Sequence, residues 1–319
     1  MDEQTKQSVM KALDNALTTV AIREYNRLSY RLLREQVADI TKNALNSLGK
    51  LQSGNIPDYG DWVALFYHWY QPSQINLAYS MIKSTAIVSD RLRVLDYGCG
   101  ALAMQFGVAL ATADALEEMQ SISEIRIDSL DTSQAMVEMG QKIWEQFKIE
   151  ASKDSNLRYV SLACEIINPQ IILLTNLPSM IGVNSNTAWA TAWQSECWLG
   201  ALHAVYDDNR DNVQRWLNSI VDRLNPDICF ATTHSSKDYL IREVWDFIDY
   251  AEYYLPELTI ESQFRGMLPE ITQWRINLNT ALQINHHYLN RPVTWEWPEA
   301  AFMIHTKYSE PTDADDLPW

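Results

Sequence analysis

Glycine is scarce in this chain, 10 in 319 residues, and two of the ten fall within three positions of each other directly behind an apolar run. Leu92-Arg-Val-Leu-Asp96 reads as a short strand, Tyr97-Gly-Cys-Gly100 as a tight turn, and Ala101 to about Met119, free of proline, as a long helix. A second unit follows, with Glu124 to Leu130 as a strand ending in Asp131 and Ser133 to Phe147 as a helix. Further on, Glu196 to Val205, Val213 to Leu224 and Ile228 to Thr233 read as strand, helix and strand. Strands alternating with helices of this length demand a parallel sheet with crossover helices. Leu258 to Phe264 and Ala301 to Lys307 read as two more strands, expected as an antiparallel pair at the sheet edge.

Ahead of the glycine turn the texture is helical. Val9, Leu13, Leu17, Val20 and Ile22, then Leu32, Leu33, Val37 and Ile40, recur at three- and four-residue spacing between Glu3 and Ser47, which predicts two amphipathic helices. A polar stretch from Gln52 to Gly60 separates them from an aromatic segment, Trp62-Val-Ala-Leu-Phe-Tyr-His-Trp-Tyr70, with Asp61 as its expected cap. Gln71-Pro-Ser73 then leads into a helix through Ile82. Residues 1–88 are therefore expected to form a helical lobe and residues 89–319 an α/β domain.

The chain carries 41 acidic against 25 basic residues, a net charge of −16. A protein that gains affinity by neutralising phosphates needs clustered Lys and Arg, so nucleic acid is not the expected partner. Cys99, Cys164, Cys197 and Cys229 form no C-x-x-C pair, and no carboxylate stands at metal spacing from His286-His287, so neither a disulfide framework nor a metal is expected. No apolar run approaches a membrane span and the first residues lack a signal pattern, which fits a cytoplasmic, reducing environment. Glu310 to Trp319, rich in acids with two prolines, reads as a tail.

Gly98-Cys-Gly100-Ala-Leu-Ala103 satisfies G-x-G-x-x-A, the turn that brings backbone close to a nucleotide-like ligand. Asp96 decides between ligands. A carboxylate at the strand end repels a pyrophosphate, but attracts S-adenosylmethionine, whose sulfonium and α-ammonium are cationic. Asp131, ending the next strand, is placed to accept both ribose hydroxyls, with Thr132 and Ser133 near the adenine. It lies further from the glycines than the roughly 20 residues usual in dinucleotide folds.

D-x-G-x-G after a strand, with an acid ending the following strand, resembles the S-adenosylmethionine-dependent methyltransferase superfamily with a Rossmann-like core. That resemblance implies a mostly parallel seven-stranded sheet with helices on both faces, S-adenosylmethionine as cofactor, and Asp96, Gly98, Cys99, Gly100, Asp131 and Thr132 around it. A narrower likeness runs through Tyr67-His-Trp-Tyr-Gln71, Ile75-Asn-Leu-Ala-Tyr79, Leu199-Gly-Ala-Leu-His203-Ala-Val-Tyr206 and Thr233 to Glu243, which together resemble the ribosomal small-subunit Rsm22-type methyltransferase-like proteins. The chain departs from these in having no cysteine after Cys229, where that family carries an iron–sulfur cluster.

Methyl transfer from a sulfonium is an in-line displacement whose leaving group needs no proton, so proximity and alignment dominate and a general base is optional. Ligands of open α/β sheets sit outside the carboxyl ends of the strands. His203 and Tyr206 are thereby expected near the transferred methyl as catalytic candidates, with His203 also beside the cofactor. Asp207 and His234 are expected on the acceptor side. Tyr70 and Gln71, on a helical lobe folded back as a lid, would reach the methionine portion of the cofactor, and Tyr67 the acceptor. Trp295 and Trp297 stand where they would rim the pocket or anchor the sheet edge. The acceptor expected is a small molecule or peptide. An RNA methyltransferase of ribosome assembly, a catalytically silent methyltransferase-like subunit and a dinucleotide oxidoreductase are the competing functions, and oligomeric state is open.

Overall fold

The computed structural model describes residues 1–51, 60–67, 71–83, 90–97, 99–131 and 133–173, together with the strands at 197–203, 228–232, 259–263 and 301–305. Helix α1 (Glu3–Ser29) starts on Asp2, whose side chain accepts the Thr5 N–H at 2.7 Å. Its stripe of Val9, Leu13, Leu17 and Val20 is fully buried, each such side chain contributing about 1.5–3 kcal/mol of transfer free energy. Ile22 and Leu33, expected on the same apolar faces, are exposed instead. Ile22 is only two positions past Val20 and so turns away from that stripe, while Leu33 lies just before α2 (Arg34–Leu51) begins.

Asp61 opens α3 (Asp61–Tyr67) and its carboxylate pairs with Arg27 of α1 at 2.9 Å. Trp62 stacks on Phe66 and meets Tyr25 edge-on, so this part of the aromatic segment is packing between α1 and α3. Helix α4 (Gln71–Lys83) buries Gln71, Ile75, Ala78, Tyr79 and Ile82, one face at helical spacing.

The strands are β1 (Arg91–Tyr97), β2 (Glu124–Asp131), β3 (Ile167–Leu173), β4 (Cys197–His203), β5 (Ile228–Thr232), β6 (Thr259–Gln263) and β7 (Ala301–His305). They join in the order β3-β2-β1-β4-β5-β7-β6. The pairs from β3 through β5 are parallel, and β7 is antiparallel to both β5 and β6, as expected of the edge. Between β1 and β3 the chain passes through α5 (Ala103–Glu117), α6 (Gln134–Ser152), a 3-10 turn (Ser155–Leu157) and α7 (Arg158–Ile166). The two crossovers step the same way along the sheet, and right-handed connections place their helices on one face.

Helix α5 is buried almost all round, from Ala103 to Ala115. Small residues make this possible: a Cβ on Gly107 would stand 2.5 Å from Ala78 Cβ and 2.7 Å from the Tyr79 nitrogen, so α4 lies backbone-close against α5. Contacts advance together along the two helices, Gln71 with Ala101, Ala78 with Gly107 and Tyr79 with Asp114, so α4 runs parallel to α5. Phe106, Trp144 and Phe147 form an aromatic cluster between α5 and α6. One contiguous apolar cluster takes in α1, α3, α4, α5 and α6 with Leu92, Val94, Ile125 and Ile127 of the sheet.

The other side of β1 and β2 is charged. Asp128, fully buried, accepts from Arg126 Nε at 3.0 Å and lies 3.5 Å from Arg93 Nε. Burial pushes the Asp128 pKa up, with Arg126 and Arg93 pulling against it. Neither α7 nor β3 was expected. The β3 sequence Ile167-Asn-Pro-Gln-Ile-Ile-Leu173 breaks apolar alternation with Pro169, a residue tolerated because β3 is the edge strand. The expected helix at 213–224, His286-His287, Trp295, Trp297 and the acidic tail lie outside the described residues.

Candidate active site

Strand order reverses between β1 and β4: β2 and β3 follow on one side, β4 and β5 on the other. Such a switch point opens a crevice at the carboxyl ends of the strands, where Asp96, the glycine turn, Asp131 and His203 fall. Asp96 is fully buried, in register with Ser129 of β2 and Ala201 of β4. His203 ends β4, in register with Thr232 of β5.

The turn is held from several sides. Cys99 N–H donates to Leu130 O at 3.0 Å and Leu102 N–H to Cys99 O at 2.8 Å, closing the bend. Gly100 has φ +50°, a conformation that favours glycine, and the neighbourhood is otherwise open, since a Cβ there would meet Tyr67 Oη only at 3.8 Å. Leu102 also adopts φ +65°, which costs a branched residue about 1–2 kcal/mol. Its side chain is fully buried with Cys99 and Val137, and that packing offsets the strain.

Asp131 reaches across to the turn. Its Oδ2 accepts the Gly100 N–H at 2.6 Å and its Oδ1 accepts the Ser133 N–H at 2.8 Å. Ser133 in turn caps α6 by accepting the Met136 N–H. A carboxylate carries about four lone-pair sites, and two of those on Asp131 hold the turn to the start of α6. The Cys99 thiol is pushed well above its ordinary pKa by burial first, then by Asp96 and Asp131. Both carboxylates thus act on the same turn.

The N-terminal helices close on this turn at two points. Tyr67, at the end of α3, donates its hydroxyl to Gln74 Oε1 and sits beside Gly100. Gln71, at the start of α4 and fully buried, donates from Nε2 to Ala101 O at 2.5 Å, while its Oε1 finds no hydrogen-bond partner among the described residues. From the opposite direction α6 presses on the same peptide, because a Cβ on Gly140 would come within 2.6 Å of Ala101 C and O.

The structure therefore brings together Asp96, Cys99, Gly100, Asp131, Tyr67 and Gln71 around one turn, with His203 at the same sheet edge. Gly98, Thr132, Tyr70, Tyr206, Asp207 and His234 lie outside the described residues. Sequence reasoning missed three contributors, Leu102, Ser133's bond to Asp131, and Gly140. Only the glycine at 140, inside an otherwise good helix, offered a signal. Among the described residues no group of His, Cys, Asp and Glu is arranged to hold a metal, and no helix is long and apolar enough to cross a membrane. A shallow groove lined by Asp154, Ser155, Arg158 and Glu165 lies beyond the C-terminal end of α6, away from the glycine turn.

The sheet order, the turn and the two strand-end acids define an α/β protein with a mostly parallel sheet whose strand order switches between β1 and β4. Among solved structures the chain is similar to S-adenosylmethionine-dependent methyltransferases. A Listeria monocytogenes protein assigned as a class I S-adenosylmethionine-dependent methyltransferase matches with TM-score 0.41 and 11% identity, over 97% of this chain and 90% of that one. The plantazolicin methyltransferase BpumL, solved with S-adenosylhomocysteine and a substrate analogue, matches with TM-score 0.34 and 10% identity, over 96% of this chain and 100% of that one. The small RNA methyltransferase HEN1 matches with TM-score 0.36 and 12% identity over 60% of this chain, which spans only 22% of the HEN1 chain. No family model matches the chain and no curated protein does, so nothing there carries the narrower likeness to the Rsm22-type proteins.

Proposed function

We propose that this chain is an S-adenosylmethionine-dependent methyltransferase whose cofactor lies across the carboxyl ends of β1, β2 and β4. The observation that carries the reading is the convergence of two carboxylates on one glycine turn, Asp131 bonded to Gly100 N–H and Asp96 buried at the end of β1. A dianionic pyrophosphate is repelled there and a cationic ligand attracted. In this reading Asp131 takes the ribose hydroxyls, while Gly98, Cys99 and Gly100 let the ligand approach backbone and Thr132 lies near the adenine. Asp96, with Tyr70 and Gln71 Oε1, faces the methionine portion.

When bound, the cofactor supplies an electrophilic methyl group. The protein's own part is to align the acceptor and exclude water. Tyr67, Tyr206, Asp207 and His234 surround the acceptor, and His203 or Tyr206 removes its proton where it carries one. The full reading takes a mostly parallel seven-stranded sheet with helices on both faces and a lobe of residues 1–88 covering a domain of residues 89–319. The net charge of −16 favours a small-molecule or peptide acceptor over RNA.

Calorimetry with S-adenosylmethionine and S-adenosylhomocysteine tests the site. Micromolar binding is expected, with Asp131→Ala and Asp96→Asn each weakening it at least tenfold. No binding by the folded protein, or unchanged binding in both variants, overturns the assignment. Incubating extract fractions with methyl-labelled cofactor then separates the acceptors: label in small molecules or peptides is expected, and label in RNA replaces this acceptor class.

A further inference from the structure

We infer that Gln71, besides facing the cofactor through Oε1 in that reading, is a positioning residue whose Nε2 latches the cofactor-binding turn to the N-terminal helices through the Ala101 carbonyl; the inference rests on the methyltransferase reading only for its affinity arm, and the exchange arm in the ligand-free protein separates the latch from direct contact. Three observations lead there. Gln71 is fully buried at the first turn of α4, and its amide reaches out of the helix to Ala101 O at 2.5 Å. Ala101 is the residue between two left-handed positions, Gly100 and Leu102, so its peptide sits in the strained part of the bend. On the other side Gly140 of α6 lies so close to Ala101 that even a methyl group would collide with the carbonyl. The Ala101 peptide is therefore pressed by α6 and gripped by α4, and Gln71 is the grip.

The consequence is directional. Asp131 holds the preceding peptide by the Gly100 N–H, so loss of the Gln71 bond frees the turn at one end while Asp131 still holds the other. A buried acceptor left without its donor is costly, and the strained Leu102 conformation persists only where its surroundings hold it. Without the amide, the turn relaxes and Gly98 to Gly100 no longer present backbone to a ligand in one arrangement. Because α4 lies parallel to α5 with its start at the turn, a displacement of the start of α4 is passed to Ala101 through this bond.

The test uses the full chain with Gln71→Leu, Gln71→Glu and, as a control at the far end of α4, Lys83→Met, which removes contacts to Tyr79 and Asp114 and touches nothing at the turn. In the ligand-free protein, hydrogen exchange of the peptide covering 99–102 should speed up at least fivefold in Gln71→Leu and stay unchanged in Lys83→Met. S-adenosylhomocysteine affinity by calorimetry should fall at least tenfold in Gln71→Leu and less than twofold in Lys83→Met, even where Lys83→Met lowers the melting temperature. Gln71→Glu supplies a signature that a general loss of packing does not. An ionised carboxylate cannot donate to Ala101 O, whereas a protonated one can, and burial raises a carboxyl pKa. Its affinity should be poor at pH 8 and recover as the pH falls towards 6, with the wild type flat over that range. Unchanged exchange at 99–102 in folded Gln71→Leu overturns the latch, as does a Gln71→Glu defect that ignores pH. If the wild type binds no S-adenosylhomocysteine, the methyltransferase reading falls and the exchange arm alone decides the latch.

Discussion

Among the described residues, α1 and α4 join the rest of the molecule by seams that are built differently. Along α1 the seam against α6 is broad: a buried stripe of Val9, Leu13, Leu17 and Val20, with Glu24 near its C-terminal end taking Lys142 at 2.9 Å and Arg27 at 2.7 Å. Along α4 the seam against α5 is close: backbone comes together at Gly107 and Ala78, Ile75, Tyr79 and Ile82 are buried along the same face, and polar groups tie its ends, Gln71 on Ala101 and Tyr79 with Lys83 on Asp114. The first can lose a methyl group and keep its geometry, because apolar burial is spread over many atoms. The second has no slack, and one of its ends is the glycine turn itself. Of the two, the α4 seam is the one joined to the turn.

Truncating the broad seam should give the largest stability loss. Leu17→Ala is expected to cost about 2–4 kcal/mol in chemical denaturation, while the fraction still folded binds S-adenosylhomocysteine with wild-type affinity; a matching loss of affinity would show that the seams are not separate. Next comes Gly107→Ala. Alanine ordinarily stabilises a helix interior by roughly 0.5–1 kcal/mol, but here the new methyl meets backbone of α4, which cannot yield, so a net loss of about 1–3 kcal/mol is expected. This variant should also speed exchange at 99–102, and if it does not, the α4 seam fails to reach the turn.

Glu24 sharpens the contrast through pH. Burial disfavours its charge, but hydrogen bonds from Lys142 and Arg27 outweigh that and hold its pKa below the ordinary value. A depressed carboxylate contributes stability above its unfolded pKa that is lost as pH falls through the folded one. Glu24→Gln should therefore cost about 1–2 kcal/mol at pH 7, a value kept modest because Arg27 and Lys142 are partly exposed. The difference from wild type should shrink on acidification below pH 4.5, as unfolding midpoints across pH would report. The smallest effect is chemical: Cys99, buried and with its thiol pKa raised by burial and by Asp96 and Asp131, should resist iodoacetamide at pH 8 in the native protein and react once the chain is unfolded.

Much of the sheet was legible because its signals are local. Leu92 and Val94 alternate with Arg93, Gly98 and Gly100 punctuate, and Asp131 ends an apolar run, so β1, the turn and β2 are readable from neighbouring residues. Strand β3 was not, since Asn168, Pro169 and Gln170 are acceptable only on an edge, and which strand is the edge is decided by the whole sheet. Gln71 was legible as a site residue but not in its role. Nothing near position 71 in the sequence says that α4 will run parallel to α5 and bring that amide to Ala101, 30 residues on. The aromatic segment divides in the same way: Trp62 and Phe66 pack the lobe, and Tyr67, one helical step further, stands at the turn.

By itself, then, the sequence determined the strand, the glycine turn and the two acids that flank it, because backbone conformation and hydrophobic period are written within a few residues. Only the tertiary structure decided how that turn is held. Asp131 on Gly100, Gln71 on Ala101 and Gly140 beneath it come from three different helices and strands, and a buried polar contact between distant segments exists only once packing has removed water from both partners.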